Sequence, residues 1–517
     1  MPIGACNGVA SLSISPSMSR LHERAHLPRS PRLQQWLVWT TSGTAIAGGA
    51  AGILLENWWL GAAPAAVLIL WLAVFDFRRL YYLLLATLPL STEIELPAGL
   101  GTDLPSEQIM WLLTLVGVAW FAYHSRSVDA RFVRHPVTLA LLAHLSWTTL
   151  ACLNSTMGVA SLKFWLAKGW YVVVFFFLAG HIFRQERDFK ALLWWFLIPL
   201  LLTVCIVLAR HAARGLTFEE VNYVMGPFYR NHVIYACIQA VFLPFVWWGR
   251  SHYPPGSWSR RLLTAAMLLL LVGINFAYTR AAYGALLIAV VFYGLMRWRM
   301  LQVGLLIAAL GIGLFVSFVT YRDNWLLFAP NYERTVTHTR FDNLLQATTR
   351  LEDISLMERV YRWVAAAYMI EQKPILGFGP GTFYFNYRNF TVTSFKTYVS
   401  HNPERSGIHN YYLMVAVEQG LPGLFFFLAF CVLVLLWGQR TYHRLREVAQ
   451  GRFVMAASLS FALICLLMFM NDFVETDKIG SLFFICAAIV VNGSLSAQAS
   501  KEKSGKRSED VLPPSPF

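Results

Sequence analysis

Residues suited to binding a phosphate-bearing substrate gather in three stretches that lie between apolar runs. The connection 210–232 carries Arg210, His211 and Arg214, then Gly226-Pro227-Phe228-Tyr229-Arg230-Asn231-His232. A short turn, Tyr278-Thr279-Arg280-Ala281-Ala282-Tyr283-Gly284, carries one arginine between two apolar runs. The long segment 321–410 holds about ten Lys and Arg against fewer acidic residues. A guanidinium presents a planar fork of N–H donors that matches phosphate oxygens, so several arginines converging on one face would form a diphosphate pocket. Taken singly, each of these arginines reads equally well as an interfacial anchor, because its stem can snorkel toward water. Segment 321–410 ends in Gly407-Ile408-His409-Asn410-Tyr411-Tyr412-Leu413, followed by Glu418-Gln419-Gly420-Leu421-Pro422-Gly423. A lone histidine at a helix start is ordinarily a hydrogen-bonded structural group, and His338 and His401 lie in the same segment. His409 is set apart by its place at a membrane rim just before a helix bearing Glu418. An imidazole there can act as a general base near neutral pH.

The elements that must position these groups are membrane helices. Of 517 residues, 57% are hydrophobic, 15% aromatic and only 14% charged, against roughly 25% charged in an average soluble domain. Mean hydropathy is +0.51. Disorder, a coiled coil and a compact cytosolic enzyme are excluded on these grounds. Apolar runs long enough to cross a bilayer lie near 36–55, 58–75, 79–92, 108–123, 136–153, 162–182, 190–209, 233–248, 261–278, 282–297, 301–320, 421–437, 453–470 and 480–495. The short third run ends at Pro89, so 12–14 spans are expected. The runs are continuous rather than alternating, which excludes a closed barrel. The fold class is thus an all-α polytopic membrane protein with one large, partly helical loop.

Loop charge gives the orientation. Alternate connections are rich in arginine (Arg78/Arg79, Arg126/Arg131/Arg134, Arg184/Arg187, Arg250/Arg260/Arg261, Arg297/Arg299, Arg440/Arg444/Arg446), whereas the loops 93–107, 154–161 and 471–479 have almost no Lys or Arg. The positive-inside rule then puts both termini in the cytoplasm and segment 321–410 outside. The net charge of +14 follows from this bias, and no nucleic-acid partner is needed to account for it. The expected organisation is a disordered cytoplasmic tail over 1–33, a transmembrane bundle over 34–320, a periplasmic loop domain over 321–410, C-terminal transmembrane helices over 411–497 and a disordered tail over 498–517. Ser, Pro and Arg fill the first tail, which lacks the apolar core of a signal peptide. The seven cysteines show no CxxC or Cys/His spacing, so neither a disulfide framework nor a zinc site is indicated.

Within the outer loop, Ile354, Met357, Val360, Tyr361, Val364 and Tyr368 recur at helical spacing across 352–371, and Lys373-Pro374 ends that helix. The following Ile375-Leu376-Gly377-Phe378-Gly379-Pro380-Gly381 has no preceding strand and no Gly-Lys-Ser/Thr, so it reads as a packing turn that returns the chain to the membrane rather than a nucleotide loop. Lys163 and Lys168, early in the sixth run, are the main charged exceptions to spans that are apolar in their middles; outward by topology, they could equally line a pocket for an anionic lipid.

In order and spacing these landmarks resemble the O-antigen ligase / O-antigen polymerase family of bacterial inner-membrane glycosyltransferases. The resemblance rests on His409, Asn410, Tyr412, Leu413, Glu418, Gly420 and Gly423. Upstream it draws on Arg359, Trp363 and Pro374 to Gly381, on Thr279-Arg280-Ala281-Ala282, and on Gly226 to His232. It covers roughly residues 225–440, with Ala281 where the family has Gly, Tyr283 where Trp is common, and an extra pair of N-terminal spans. The resemblance implies an inverting, metal-independent transferase without cofactors, acting on an undecaprenyl-pyrophosphate-linked glycan at the periplasmic face. It implies catalytic roles for His409 and Arg280, and substrate-binding roles for Arg230, His232, Arg359, Asn410 and Glu418, with Lys163 added from its position. The acceptor would be a saccharide, either lipid A–core or a growing polysaccharide, in lipopolysaccharide or exopolysaccharide synthesis. Two readings of other classes stand beside it: a secondary transporter of a small anion, for which interrupted helices and polar residues at mid-membrane depth are expected, and a non-catalytic assembly protein, which would not need His409.

Overall fold

A computed structural model of the chain describes residues 63–96, 100–124, 129–329, 353–396, 407–445 and 449–509, with scattered residues between 36 and 48. The expected tail over 1–33, most of the run 36–55, His338 and His401 lie outside the described residues. The chain divides into two units, residues 1–81 and 82–517. In the first, the described helix is α1 (Ala63–Phe75), and α2 (Phe77–Thr87) begins there.

Among the described residues of the second unit, the strands are confined to one two-stranded antiparallel hairpin, β1 (Thr92–Leu96) and β2 (Leu100–Leu104), and the rest is mainly helical. After α3 (Ser106–Tyr123) come α4 (Pro136–Leu153), α5 (Gly158–Ile182), α6 (Glu186–Ala213), α7 (His232–Gly249), α8 (Trp258–Phe276), α9 (Arg280–Arg297) and α10 (Leu301–Thr320). The segment 321–410 contributes α11 (Ile354–Gln372), and the chain closes with α12 (Tyr411–Arg444), α13 (Ala449–Leu467) and α14 (Asp477–Glu509). Among the described residues ten helices, α4 to α10 and α12 to α14, are long and apolar enough to cross a membrane. They coincide with the ten apolar runs read from 136 onward. The all-α polytopic expectation therefore holds, and the helix predicted over 352–371 is observed at Ile354–Gln372. The backbone stays helical to Glu509, past residue 498 where the sequence reading begins a tail.

Burial sorts the spans. In α14, 94% of the apolar stretch is buried inside the protein, and in α13 and α7 72% and 67%, whereas none of it is in α10. The first three form the centre, and α10 leaves an apolar surface of Leu306, Ile307, Leu310 and Leu314 suited to lipid.

Entry into the site-bearing helices is fixed by caps. The Asn231 side chain accepts the N–H groups of Val233 and Ile234 at the start of α7 (3.1 and 3.0 Å), and Asn410 accepts that of Leu413 at the start of α12 (3.1 Å), satisfying donors that a helix N-terminus leaves open. Gly420 then breaks α12 at φ 72°, ψ 178°, separating a short rim segment from the main span. Pro374 and Ile375 run alongside: Leu421 donates to the Pro374 carbonyl (2.8 Å), and a Cβ at position 420 would lie 2.0 Å from the Ile375 oxygen. Only glycine suits both the torsion and the approach.

Candidate functional site

The glycine run 375–381 is a packing turn, as its lack of phosphate-loop context suggested. Phe378 and Gly379 donate to the carbonyls of Val417 and Glu418 (3.0 and 2.9 Å), and Thr156 donates to the Phe378 carbonyl (3.2 Å). The Glu418 carboxylate accepts the N–H groups of Gly381 (2.8 Å) and Phe383 (3.0 Å) and is almost wholly buried. Glu418 thus faces this turn rather than a cavity, and it binds the loop domain to the rim of α12.

Helix α11 does the same for the segment that precedes α12. Arg362 forms an ion pair with Glu358 (3.4 Å) and donates to the Gly407 carbonyl (3.2 Å), while the Trp363 indole donates to the Ile408 carbonyl (3.2 Å). Held this way, His409 adopts φ 58°, a left-handed conformation uncommon outside glycine and concentrated at functional sites. Asn410 spends its side chain on the α12 cap.

His409 faces a cavity of about 560 Å³ bounded also by Arg230, Asn471, Asp472, Glu475 and Lys478. The Asn471 Oδ1 accepts the Asp472 backbone N–H (3.0 Å) and lies 3.1 Å from His409 Nδ1. An oxygen in that position accepts a hydrogen bond from Nδ1–H, so the neutral ring keeps Nε2 as an acceptor. Burial, then the Arg359 and Arg362 guanidinium groups, bring the imidazole down to about 4. It is therefore uncharged at neutral pH. Asp472 moves the other way: burial and the nearby Glu475 raise it to about 7, against the opposing pull of the His409 backbone N–H and Arg362.

The predicted arginines do not all reach this cavity. Arg230 lies on its wall and is exposed. Arg280 is the first residue of α9 rather than part of a free turn, and it pairs with the buried Asp353 (3.1 Å), the N-cap of α11. Behind His409 the cations continue, because burial and Arg280 lower the proton affinity of Arg359. Arg280 also faces His232, which is held through Nδ1 by Asn222 (2.7 Å) and lies outside the cavity lining. Arg280, Arg359, Arg362 and His409 thus form one electrostatic neighbourhood, with Arg230 and His409 sharing the open space.

Lys163 is elsewhere. It borders a second cavity of about 310 Å³ together with Glu93, Asp103, Glu107, Trp170 and Glu475. The two cavities have Glu93, Asp103 and Glu475 in common. Lys168, early in α5, is buried and bound to Glu475 (2.7 Å) and the Tyr411 hydroxyl (3.2 Å).

Sequence reasoning missed the acidic half of the site. Five carboxylates, Glu93, Asp103, Asp472, Glu475 and Asp477, border the larger cavity. Asp477 accepts from the Ser91 and Ser106 hydroxyls (2.5 and 2.7 Å), and Lys478 donates to the carbonyls of Leu88 (3.1 Å) and Ser91 (2.9 Å) and to the Ser91 hydroxyl. The available signal was the density of Asp472, Glu475, Asp477 and Lys478 within one brief connection between apolar runs. Among the described residues no three His, Cys, Asp or Glu side chains converge closely enough to hold a metal ion.

Residues 265–428 match the family model described as O-antigen ligase, which bears out the resemblance read from the motifs. The matched stretch includes Arg280, Arg359, His409, Asn410 and Glu418; Arg230, His232, Lys163 and the acidic connection at 471–478 lie outside it. No curated protein matches the chain.

Proposed function

We propose that this chain is a periplasm-facing glycosyltransferase of the bacterial inner membrane, with both termini cytoplasmic, which moves a glycan from an undecaprenyl-pyrophosphate donor onto a saccharide acceptor. The observation that carries the reading is the shared cavity of Arg230 and His409 backed by Arg359 and Arg362, within a chain whose residues 265–428 match the O-antigen ligase model.

In the proposed reaction the donor diphosphate lies against Arg230, with Arg280 and Arg359 contributing field from behind. Fixed cations aimed at a departing diphosphate stabilise the charge that develops as the glycosidic C–O bond breaks. His409 Nε2 accepts the proton of the acceptor hydroxyl, whose oxygen attacks the anomeric carbon on the face opposite the leaving group, inverting it. An imidazole held near 4 is a weak base, but a bound diphosphate brings negative charge beside it and shifts it upward, since an opposite charge favours the protonated form. The base thus strengthens when donor is present. Diphosphate is a good leaving group, so the scheme needs no covalent enzyme intermediate, no nucleotide hydrolysis and no metal. Ligation to lipid A–core and polymerisation of lipid-linked repeats differ in the acceptor alone.

The test is transfer by purified protein in lipid nanodiscs, using a lipid-pyrophosphate glycan extracted from the source cell. His409→Ala should lose transfer while inserting and folding normally; retained transfer removes His409 from the reaction. Chelation with EDTA should leave wild-type activity unchanged, and inhibition reversed by added metal would overturn the metal-free scheme.

A further inference from the structure

The proposed donor chemistry uses the arginine side of the site and leaves the β1/β2 hairpin without a task. In its register Glu93 stands directly opposite Asp103. Like charges facing each other across an antiparallel pair are destabilising, and both carboxylates border both cavities. Burial, followed by Asp477, Glu93 and Glu107, pushes Asp103 up to about 7 despite the opposing Lys478. Glu107 is already engaged, since it accepts from the Thr102 hydroxyl (2.6 Å) and the Asp103 N–H (3.2 Å) and so braces the hairpin end. The smaller cavity, at about 310 Å³, is walled by Trp170 and Tyr171 of α5 and by Met110 of α3. An aromatic wall facing hydroxyl-accepting carboxylates is the chemistry that holds a sugar ring: apolar C–H faces lie on the aromatic groups while hydroxyls donate outward. The same carboxylates oppose an anion, with Lys163 the one cation among the described lining residues.

Accepting the transferase reading above, we propose that this second cavity is the acceptor subsite, and that it takes a saccharide terminus bearing hydroxyl or amino groups and no phosphate or carboxylate. Glu93 and Asp103 lie where the two cavities meet, so a sugar held there presents a hydroxyl toward the space shared by His409 and Arg230. Phosphorylated or uronic-acid termini are disfavoured by the same two groups.

The proposal is tested by saturation-transfer NMR on the full chain in nanodiscs with two matched probes, cellobiose and cellobiuronic acid. Wild-type protein should favour cellobiose by about tenfold or more, the scale of one charge-assisted contact. E93Q/D103N should lose most of the cellobiose signal and the discrimination between probes, and the single variants E93Q and D103N should fall between. Inorganic pyrophosphate binding, followed in parallel, should persist in E93Q/D103N, showing an intact fold and donor side, and weaken in Arg230→Ala. Absent cellobiose binding, equal binding of the two probes by wild type, or unchanged cellobiose binding in the folded double variant overturns the acceptor assignment. Pyrophosphate binding that ignores Arg230→Ala overturns the donor reading instead and leaves the cellobiose preference standing.

Discussion

The two sides of the large cavity are built from opposite charges by different means. On one side, Arg280 is spent on Asp353 and Arg362 on Glu358, so that much of the cationic charge is tied into the loop domain while Arg230 stays exposed. On the other, Asp472 and Asp103 are crowded with like charge and poorly solvated, and both are raised to about 7. The arginine side is braced before a substrate arrives. The acidic side carries electrostatic tension that a hydroxyl donor would relieve. Under the proposed transfer, an anionic donor and an uncharged acceptor held in contact would be served by this division.

Four changes sharpen or break that contrast. His409→Ala, at the junction, has the largest expected effect: a fall in transfer of about 10²–10⁴-fold, the range for loss of a positioned general base. Normal turnover would make the junction structural. Next, Arg280→Ala strands the buried Asp353 and should cost about 3 kcal/mol of stability, read by thermal unfolding in nanodiscs. Arg280→Lys should restore most of that stability yet keep transfer reduced about tenfold, because an ammonium lacks the guanidinium fork; full activity would confine Arg280 to bracing α11. Glu418→Gln weakens the two bonds to Gly381 and Phe383 and should cost about 1.5–3 kcal/mol, with no change in probe binding once folded.

The smallest effect is a pH signature on the acidic side. Asp103 binds its proton near 7 in the folded chain against 3.8 ordinarily, so between those values the folded state holds more protons than the unfolded state. Wild-type stability attributable to this group therefore rises as pH falls from 7 toward 4. Asp103→Asn should be more stable than wild type at pH 8, with the advantage closing across that window in thermal melts. A constant difference would mean that Asp103 is solvated and unstrained.

The same contrast explains what could be read from the sequence. Arginines at 230, 280 and 359 stood out because they break the charge bias expected of loops read as outward, and the ten later spans were visible as unbroken apolar runs. Acidic residues at 93, 103, 472, 475 and 477 conform to that bias, so apart from the density of charge over 472–478 nothing marked them until the hairpin and the 471–478 connection met around one space. Glu418 drew attention by its neighbours, yet its partners are backbone N–H groups of a turn almost forty residues upstream, a relation that spacing does not encode. Lys163 lies near the start of α5 and lines a cavity, but that cavity is the smaller one rather than that of His409.

The central claim is that Arg230 and His409 serve one diphosphate in one cavity, with separate tasks. It is tested most directly by measuring undecaprenyl-pyrophosphate binding and glycan transfer together in nanodiscs for wild type, Arg230→Ala and His409→Ala. Arg230→Ala should weaken binding by about tenfold or more, whereas His409→Ala should bind as wild type does and transfer at least about 10²-fold more slowly. Wild-type affinity in Arg230→Ala, or near-wild-type turnover in His409→Ala, would contradict it.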